Sequence, residues 1–459
     1  MMPHALAQSI EIFTTILAVA AMGYFLAALI AARLFLAERR APLPVFAPGV
    51  SILKSLKGLD PGMIDAFRSQ RRQSYAGDYE LLFGVSTLSD PAVTAVAQLQ
   101  AEFSDRSIHL IECPQRLGTN GKVSTLVQLA AHARHDFLLI NDSDITVSPH
   151  YLERVMASFA PTGTPSGAHQ TTKNLNSDEV SKTEGGGIPD EDGNSEGGGG
   201  FNPRIMPTES RRALAPELRF SIGPQPGGDT SPQVGLVTAL YRGRSHGTLP
   251  SLLESLGIAT DFQAGVLLSK WIEGGLHYGL GSTLAVRREA LEKIGGFQAL
   301  VDHLADDYEL GARVAAAGYR VALSPEVVET SVPPYTWRGY IDHQLRWART
   351  VRDARPWGYA GLIFTHGLSW ALLNLLASGL SPLSLWLLGL SFFLRLALAM
   401  TVGAEVLADH QVLPNLWLLP FRDLIAMGVW VAGFAGNTIV WRGDRFTLKG
   451  GKLHKVEPV

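Results

Sequence analysis

The stretch HDFLLINDSD, residues 135–144, joins an unbroken apolar run to two carboxylates. A short apolar run of this kind predicts a strand that is buried on both faces of a sheet. The helical pattern KVSTLVQLAAHAR, residues 122–134, leads into it. Strands that alternate with helices are typical of parallel sheets, which bind ligands at the carboxyl ends of their strands. Asp142 and Asp144 therefore stand where a ligand is expected.

The same alternation extends in both directions along the chain. Strand patterns precede it at VSILKSL (50–56), YELLFGVS (79–86) and SIHLIEC (107–113), with a helical pattern at DPAVTAVAQLQAEF (90–103). Further strands are expected at PQVGLVTALYRG (232–243) and at the start of GLGSTLAVRREALEKIGGF (279–297). The sequence predicts an α/β catalytic domain over residues 48–356, with a mostly parallel sheet and helices on both faces. Residues 162–231, rich in Gly, Ser and acids, are predicted to be a disordered insertion.

The bulk composition excludes several classes of protein. Hydrophobic residues make up 46% of the 459-residue chain, and the net charge is −3. A chain this close to neutral gives no basis for a nucleic-acid partner. Cys113 is the one cysteine. It excludes an internal disulfide and a cysteine metal cluster, and we expect the thiol to be inert.

An N-terminal apolar run predicts a transmembrane helix over residues 9–36, since it is long enough to cross a bilayer. A cleaved signal peptide is the alternative. It fits poorly because Arg33, Arg39 and Arg40 follow the apolar run instead of preceding it. These arginines predict that the catalytic domain lies in the cytoplasm.

Three further apolar blocks, residues 361–380, 383–403 and 415–436, predict C-terminal membrane helices within residues 359–440. Basic residues precede the blocks and recur in a predicted basic tail, residues 441–459, so both flanks favour the cytoplasm. Three full crossings would place the tail outside. We therefore expect one block to be re-entrant or interfacial, and the third, interrupted by Pro420, Arg422 and Asp423, is the candidate. Arg395 in the second block is interpreted as a snorkelling or helix-pairing residue.

Two acidic pairs are candidates for chemistry. Asp142 and Asp144 project to the same side of an extended chain and can hold a hard divalent cation, Mg²⁺ or Mn²⁺, although Asp also forms turns at strand ends. Asp306 and Asp307 begin a helical pattern, where carboxylates favour the helix dipole. Alternatively, one of them is a general base beside an acceptor hydroxyl.

A basic and aromatic segment, YIDHQLRWARTVRD at residues 340–353, immediately precedes the first C-terminal block. It can lie as an interfacial helix on anionic lipid. Alternatively, Arg346 and Trp347 can close over a diphosphate leaving group.

The order of these motifs resembles that of glycosyltransferases with the GT-A fold, and most closely the ceramide glucosyltransferase family, glycosyltransferase family 21. The resemblance is carried by VSILKSLKG (50–58), GTNGK (118–122), DSD (142–144), DDY (306–308) and HQLRW (343–347). It covers nearly the whole catalytic domain except the insertion, together with the flanking membrane segments. Two departures are His343, where the family has Gln or Arg, and Thr87 and Ser89 in the region of the family's first Asp.

The resemblance implies roles for individual residues. Asp307 would be the catalytic base with Asp306 beside it, and a divalent cation would bind Asp142 and Asp144. Arg346 and Trp347 would complete the diphosphate site. The substrate-binding residues implied by the matching motifs are Lys54, Asp90, Asn120, Lys122, His343 and Gln344.

The resemblance also implies an inverting transfer of glucose or N-acetylglucosamine from a UDP-sugar to a membrane-lipid hydroxyl. Ceramide and a hopanoid are both open as the acceptor. The N-terminal anchor and His343 favour an integral protein of a bacterial inner membrane. The alternatives are a processive polysaccharide synthase, which needs a tunnel of many membrane helices, and a catalytically inactive scaffold with this fold.

Overall fold

The computed structural model describes residues 4–104, 107–161, 232–441 and 444–455. The predicted insertion, residues 162–231, lies outside the described residues.

Seven strands form the central sheet, in the spatial order β3-β2-β1-β4-β6-β5-β7. Neighbouring strands are parallel except β6, which is antiparallel to both β4 and β5. The strands are β1 (Val50–Ser55), β2 (Tyr79–Val85), β3 (Ile108–Glu112), β4 (Phe137–Ile140), β5 (Val234–Ser245), β6 (Leu284–Arg287) and β7 (Arg320–Val332).

Helices flank the sheet and continue into the C-terminal apolar region. Those of the catalytic domain are α2 (Met63–Arg71), α3 (Ala92–Glu102), α4 (Gly121–Ala130), α5 (Tyr151–Ala157), α6 (Leu249–Gly257), α7 (Gln263–Ile272), α8 (Arg288–Lys293), α9 (Asp306–Ala316) and α10 (Trp337–Ala354). The apolar helices are α1 (His4–Arg39), α11 (Pro356–Gly361), α12 (Gly367–Ala377), α13 (Pro382–Ala399) and α14 (Leu419–Gly433).

The strand order confirms the predicted GT-A-type α/β fold with apolar helices at both ends. The chain moves outward from β1 through β2 to β3 and then returns to β4 on the other side of β1. This return is a topological switch point, where adjacent loops diverge and leave a crevice at the carboxyl ends of the strands. The strands predicted from the apolar runs agree with β1 to β6 to within a few residues.

Two apolar segments run in opposite directions along α1. The Asn374 amide of α12 binds the Glu11 carbonyl at 2.9 Å and the Thr15 hydroxyl at 2.7 Å, near the beginning of α1. Glu405, just after α13, pairs with Arg33 near the end of α1. The first C-terminal block is bent by 59° between residues Pro356–Thr365 and Gly367–Ala377. Gly367 packs against the Phe25 ring, where a Cβ would lie 2.7 Å from a ring carbon.

The third apolar block begins and ends against the catalytic domain. Before α14, the Gln411 side chain accepts from the Ser245 amide of β5 at 3.1 Å. At its end, Arg352 of α10 donates to the Gly433 carbonyl at 2.5 Å. By length and composition, residues Leu413–Gly433 pass as a candidate span, as do Leu6–Arg39 and Pro382–Val406. That the third block is re-entrant or interfacial stays a prediction.

The charges that interrupt the apolar blocks neutralise one another. Arg395 donates to both carboxylate oxygens of Asp423, at 2.8 and 3.0 Å, and to the Thr260 carbonyl at 3.0 Å. Arg422 binds Asp261 at 2.8 Å and Asp423 at 3.2 Å. Arg395 is therefore a helix-pairing residue, one of the two roles expected for it. The network ties α13 and α14 to the π-helical turn Ile258–Phe262 of the catalytic domain.

We expect Arg395→Met to lower the free energy of unfolding by about 3–5 kcal/mol, because it leaves the Asp423 carboxylate buried without its main partner. The double variant Arg395→Met, Asp423→Leu should recover much of this loss, since no buried charge is then left without its partner at this contact. Denaturant unfolding of the detergent-solubilised protein measures both. If the two substitutions are simply additive, the pairing contributes nothing.

A second, three-stranded sheet follows the apolar helices. Its strands, in the spatial order β10-β9-β8, are β8 (Thr438–Trp441), β9 (Asp444–Lys449) and β10 (Lys452–Lys455). The turn Gly450-Gly451 has positive φ at both residues, 61° and 77°, as a two-residue hairpin of type I′ requires. Strands β9 and β10 lie within residues 441–459, for which the sequence predicted a basic tail.

Candidate active site

The first part of the site lies at the carboxyl ends of β1 and β4. Because Leu53 is in register with Ile140, Lys54 comes next to the Asn141-Asp142 turn. The Lys54 ammonium donates to the Asp142 carbonyl at 2.8 Å, and the side chain is only 1% exposed. Burial lowers the pKa of Lys54 to about 7, although Asp144 and Asp142 oppose this change. Lys54 thus stabilises the Asn141-Asp142 turn from within the protein and does not line the open crevice.

Asp144 is held by the end of β7. Its carboxylate accepts from the Thr330 hydroxyl at 2.7 Å and from the Ser331 amide at 3.0 Å. Burial raises the pKa of Asp144, and the nearby Asp142 carboxylate raises it further. Asp142, whose side chain is 48% exposed, opens towards the crevice. A cation between the two carboxylates would relieve their repulsion.

Lys122 connects the two acidic pairs. Its ammonium lies 2.8 Å from Asp142 Oδ1 and 3.5 Å from Asp306 Oδ2. Burial alone would lower the pKa of Lys122, but the Asp142 and Asp306 carboxylates outweigh it and raise the pKa. A single side chain at the start of α4 thus joins the end of β4 to the start of α9. The acids predicted from distant parts of the sequence are brought together in one site.

The loop before α9 is fastened to the start of α4. Asn120 caps α4 by accepting from the Val123 amide at 3.2 Å. Its amide group donates to the His303 carbonyl at 2.8 Å and to Asp306 Oδ1 at 3.2 Å. Gly118 is required here, since a Cβ would lie 2.6 Å from the Val301 carbonyl oxygen. Gly118 and Asn120 of the GTNGK motif therefore set the position of the acids.

Asp307 faces a glycine-rich segment that follows α7. A Cβ on Gly281 would lie 2.9 Å from Asp307 Oδ2, and a Cβ on Gly279 would lie 2.8 Å from the Asp307 carbonyl. Burial raises the pKa of Asp307 to about 6, and the adjacent Asp306 contributes, while Lys122 opposes the shift. A carboxylate with this pKa is mostly ionised at neutral pH and is still a stronger base than an ordinary aspartate.

The HQLRW motif lies on α10. His343 Nδ1 lies 3.1 Å from Glu254 of α6, and its ring stacks on Tyr335 at 5.2 Å. Burial raises the pKa of Tyr335, Glu254 and Asp144 raise it further, and Arg346 opposes the change. The charges of Arg346 and Asp144 both act on the Tyr335 hydroxyl.

The other predicted residues are Trp347, Gln344 and Asp90. Trp347, 41% exposed, meets Phe262 edge to face with the ring centroids 6.0 Å apart. Gln344 is half-buried on the same helix. Asp90 accepts from the Gly58 amide and the Ala92 amide, each at 2.9 Å. Asp90 thus fixes the loops after β1 and β2, at the edge of the crevice.

The donor set suits a hard cation. Within the described ranges, no group of three or more His, Cys, Asp or Glu side chains is arranged to hold a metal ion. Asp142 and Asp144 supply two oxygen-bearing side chains, which is what Mg²⁺ or Mn²⁺ takes when substrate phosphates and water complete the coordination. The residues present therefore fit the predicted divalent cation.

Several residues of the site escaped the sequence analysis. Thr330 and Ser331 hold Asp144, and Glu254 holds His343, through contacts between distant parts of the chain. The Gly279 and Gly281 spacing beside a strand was a usable signal, because glycine within such a pattern often marks a close backbone approach.

The sequence analysis also did not predict the C-terminal sheet, which contacts the loop before α9. The Leu453 amide of β10 donates to the Asp302 carbonyl at 3.0 Å, and the Leu304 amide donates to the Gly451 carbonyl at 3.3 Å. Leu304 also packs against the buried core of this sheet, which consists of Ile439, Phe446, Leu448 and Leu453. The loop that leads into Asp306 and Asp307 is therefore held on one side by α4 and on the other by β10.

The seven-stranded sheet with its switch point, and the apolar helices at both ends, form a GT-A-type fold. The sequence pattern of glycosyl transferase family 21 matches residues 13–170 and 229–454. The chain belongs to this family, as the motifs predicted.

Comparison with individual proteins gives distant similarities. Ceramide glucosyltransferase 3 of Caenorhabditis elegans is 22% identical over 418 residues, covering 88% of this chain and 73% of the relative. Ceramide glucosyltransferase 1 of the same organism is 19% identical over 421 residues, with the same coverage of 88% and 73%. A mannosyltransferase of Pyrobaculum calidifontis, solved with GDP-Man and Mn²⁺, superposes with a TM-score of 0.47 at 18% identity, covering 93% of this chain and 97% of that one.

Proposed function

We propose that this glycosyltransferase moves a sugar from a UDP-sugar to a hydroxyl group of a membrane lipid, with inversion at the anomeric carbon. The main support is the contact of one ammonium, that of Lys122, with Asp142 and Asp306 beside the partly buried Asp307. This arrangement sets a basic carboxylate next to a site suited to a diphosphate. The names of the nematode relatives favour ceramide, and a hopanoid is the second candidate.

In the proposed reaction, Asp307 accepts the proton of the acceptor hydroxyl as its oxygen forms a bond to the anomeric carbon. The bond from that carbon to the UDP oxygen breaks on the opposite face, and UDP leaves with the electron pair. Arg346 and Trp347 would close over the diphosphate. A divalent cation held by Asp142 and Asp144 would supply charge stabilisation for the leaving group. Lys54, Asn120 and Lys122 keep the two acidic pairs in position.

The predicted location follows from the acceptor. A lipid hydroxyl stays at the headgroup layer, so the crevice must lie close to the bilayer surface. The exposed side chains of Arg338, Trp337 and Trp357 would hold the domain at a membrane interface. We propose that the catalytic domain is cytoplasmic and that the protein is integral to a bacterial inner membrane.

The test is transfer of label from UDP-[¹⁴C]glucose or UDP-N-acetyl-[¹⁴C]glucosamine by the purified protein in vesicles that contain ceramide or a hydroxylated hopanoid. Label should pass into the organic extract, stop after addition of EDTA, and resume with Mn²⁺ or Mg²⁺. Label in an aqueous polymer would support a polysaccharide synthase instead. Neither transfer nor metal-dependent hydrolysis of the donor would support the inactive scaffold.

The pH dependence of the reaction should report the ionisation of Asp307. Only the ionised form accepts a proton, so kcat/KM should rise with pH up to about 6 and then level off. Asp306→Asn removes a neighbouring negative charge that raises the pKa of Asp307, so the acidic limb should move to lower pH. If the acidic limb of the kcat/KM profile stays at the same pH in Asp306→Asn, or moves to higher pH, the assignment of Asp307 as the base is contradicted.

A further inference from the structure

A groove lies between the last turns of α1 and α7. Leu34 and Phe35 form one apolar wall and Leu267 and Trp271 the other, around a volume of about 210 Å³. The Glu38 carboxylate and the Lys270 ammonium form an ion pair at the rim, and the ammonium also lies 5.8 Å from the centre of the Phe35 ring. We call these six residues the interfacial groove.

The interfacial groove lies at the end of a membrane segment. One wall belongs to the candidate span Leu6–Arg39. The rim exposes large apolar side chains, with Leu34 at 43%, Trp271 at 46% and the neighbouring Ile272 at 60%. Exposed Trp beside a Lys–Glu pair is typical of the boundary between hydrocarbon and headgroups. The surface around the groove therefore suits lipid better than water.

The segment that leaves α7 leads from this groove to the proposed base. Gly274 and Gly275 line the groove, and Gly279 and Gly281 contact Asp307. From Gly275 to Gly281 an extended chain spans at most about 20 Å. The ring of Tyr278, between these glycines, stacks on Tyr308 with the centroids 6.0 Å apart. The groove and the base thus lie at two ends of one short, ordered segment.

We infer that the interfacial groove binds a hydrocarbon chain of the acceptor lipid, so that the hydroxyl-bearing end of the lipid is presented to Asp307. This inference rests on the proposed function. The groove is smaller than the roughly 300–1,000 Å³ of sites that enclose a whole drug-sized ligand, so it takes only part of one chain. It selects acceptors by their apolar part and leaves the reacting end free to approach the crevice.

Filling the groove tests the inference by kinetics. Leu34→Trp places a larger ring in the groove and should raise the KM for the lipid acceptor by about tenfold, the scale of a poor fit in an apolar pocket. Acceptor-independent hydrolysis of the UDP-sugar should be unchanged. Leu26→Trp is the matched control, since Leu26 is on the same helix, is similarly exposed at 50%, and lies outside the groove. An unchanged acceptor KM in Leu34→Trp would overturn the inference while leaving the proposed function intact.

Crosslinking identifies the occupant. Ceramide and a hydroxylated hopanoid, each with a diazirine in its apolar part, are photolysed in vesicles with the wild-type protein and with Leu34→Trp. We expect the lipid that accepts sugar to label the groove walls in the wild type and to lose that labelling in Leu34→Trp. Equal labelling by a diazirine phosphatidylcholine, or labelling by neither acceptor, would show that the groove holds bulk lipid or none. Absence of transfer to either lipid by the wild type would count against the proposed function itself.

Discussion

Asp307→Asn should lower turnover by about 10²–10⁴-fold, the usual cost of losing a positioned general base. The amide is nearly isosteric but cannot accept a proton from the acceptor hydroxyl. Affinity for the UDP-sugar, measured by calorimetry, should stay within a few-fold, because the diphosphate is assigned to Asp142, Asp144 and Arg346. A loss of turnover without a loss of donor binding is the signature of an interaction made only in the transition state.

Glu309→Gln is the matched control for this variant. Glu309 lies in the same first turn of α9, but its carboxylate is paired with Arg313 at 3.2 Å instead of facing the glycine segment. Its replacement removes a negative charge of the same kind and should leave turnover close to that of the wild type. Equal losses in the two variants would mean that the charge of the helix start matters and that Asp307 has no special role. A parallel loss of donor affinity in Asp307→Asn would also contradict the assignment.

Deletion of residues 438–459 should lower turnover by about 10²-fold, the cost associated with a misplacement of roughly 1 Å at a reacting group. The C-terminal sheet supplies two backbone hydrogen bonds to the 302–304 loop and covers Leu304. Without it, this loop keeps its contacts with the start of α4 and with Arg313 of α9 but loses its support from β10. Labelled-sugar transfer by the truncated protein, together with UDP-sugar calorimetry, measures the effect.

A point variant distinguishes the effect of disrupting the sheet from the effect of shortening the chain. Leu453→Asp buries a charge in the small core of the sheet and should reproduce most of the loss. His454→Asp is the control, since His454 is exposed on the same strand. Limited proteolysis should show the catalytic domain intact in all variants. Full activity of the truncated protein would show that the C-terminal sheet does not position the acids.

The strands and the acidic pairs were predictable because the signals are local. An apolar run followed by Asp142-Ser143-Asp144 predicts both the strand and the end of the strand at which a ligand is expected. The contacts that Thr330 and Glu254 make left no local trace, because their partners are distant in sequence. The burial of Lys54 left no local trace for the same reason: the resemblance implied a substrate contact, and only the register of β1 and β4 shows that the side chain is buried beside Asp142.

In the C-terminal sheet, the positive charge of the sequence drew attention away from a hairpin signal. Residues 441–459 were predicted as a basic tail from their positive charges alone, although Gly450-Gly451 between alternating apolar residues is a hairpin signal. In the third apolar block the local signal was recognised, but its partners were not. Pro420, Arg422 and Asp423 correctly marked it as unusual, but the sequence could not reveal that Asp261 and Arg395 are the partners of its charges.

The C-terminal sheet also sets the order in which the enzyme is completed during its synthesis. The ribosome makes residues 438–455 only after all the apolar helices described, so these helices can reach the bilayer before β10 exists. Until then the 302–304 loop lacks its second support. A nascent chain would therefore be a poor catalyst until its last strands have been made and have reached this loop.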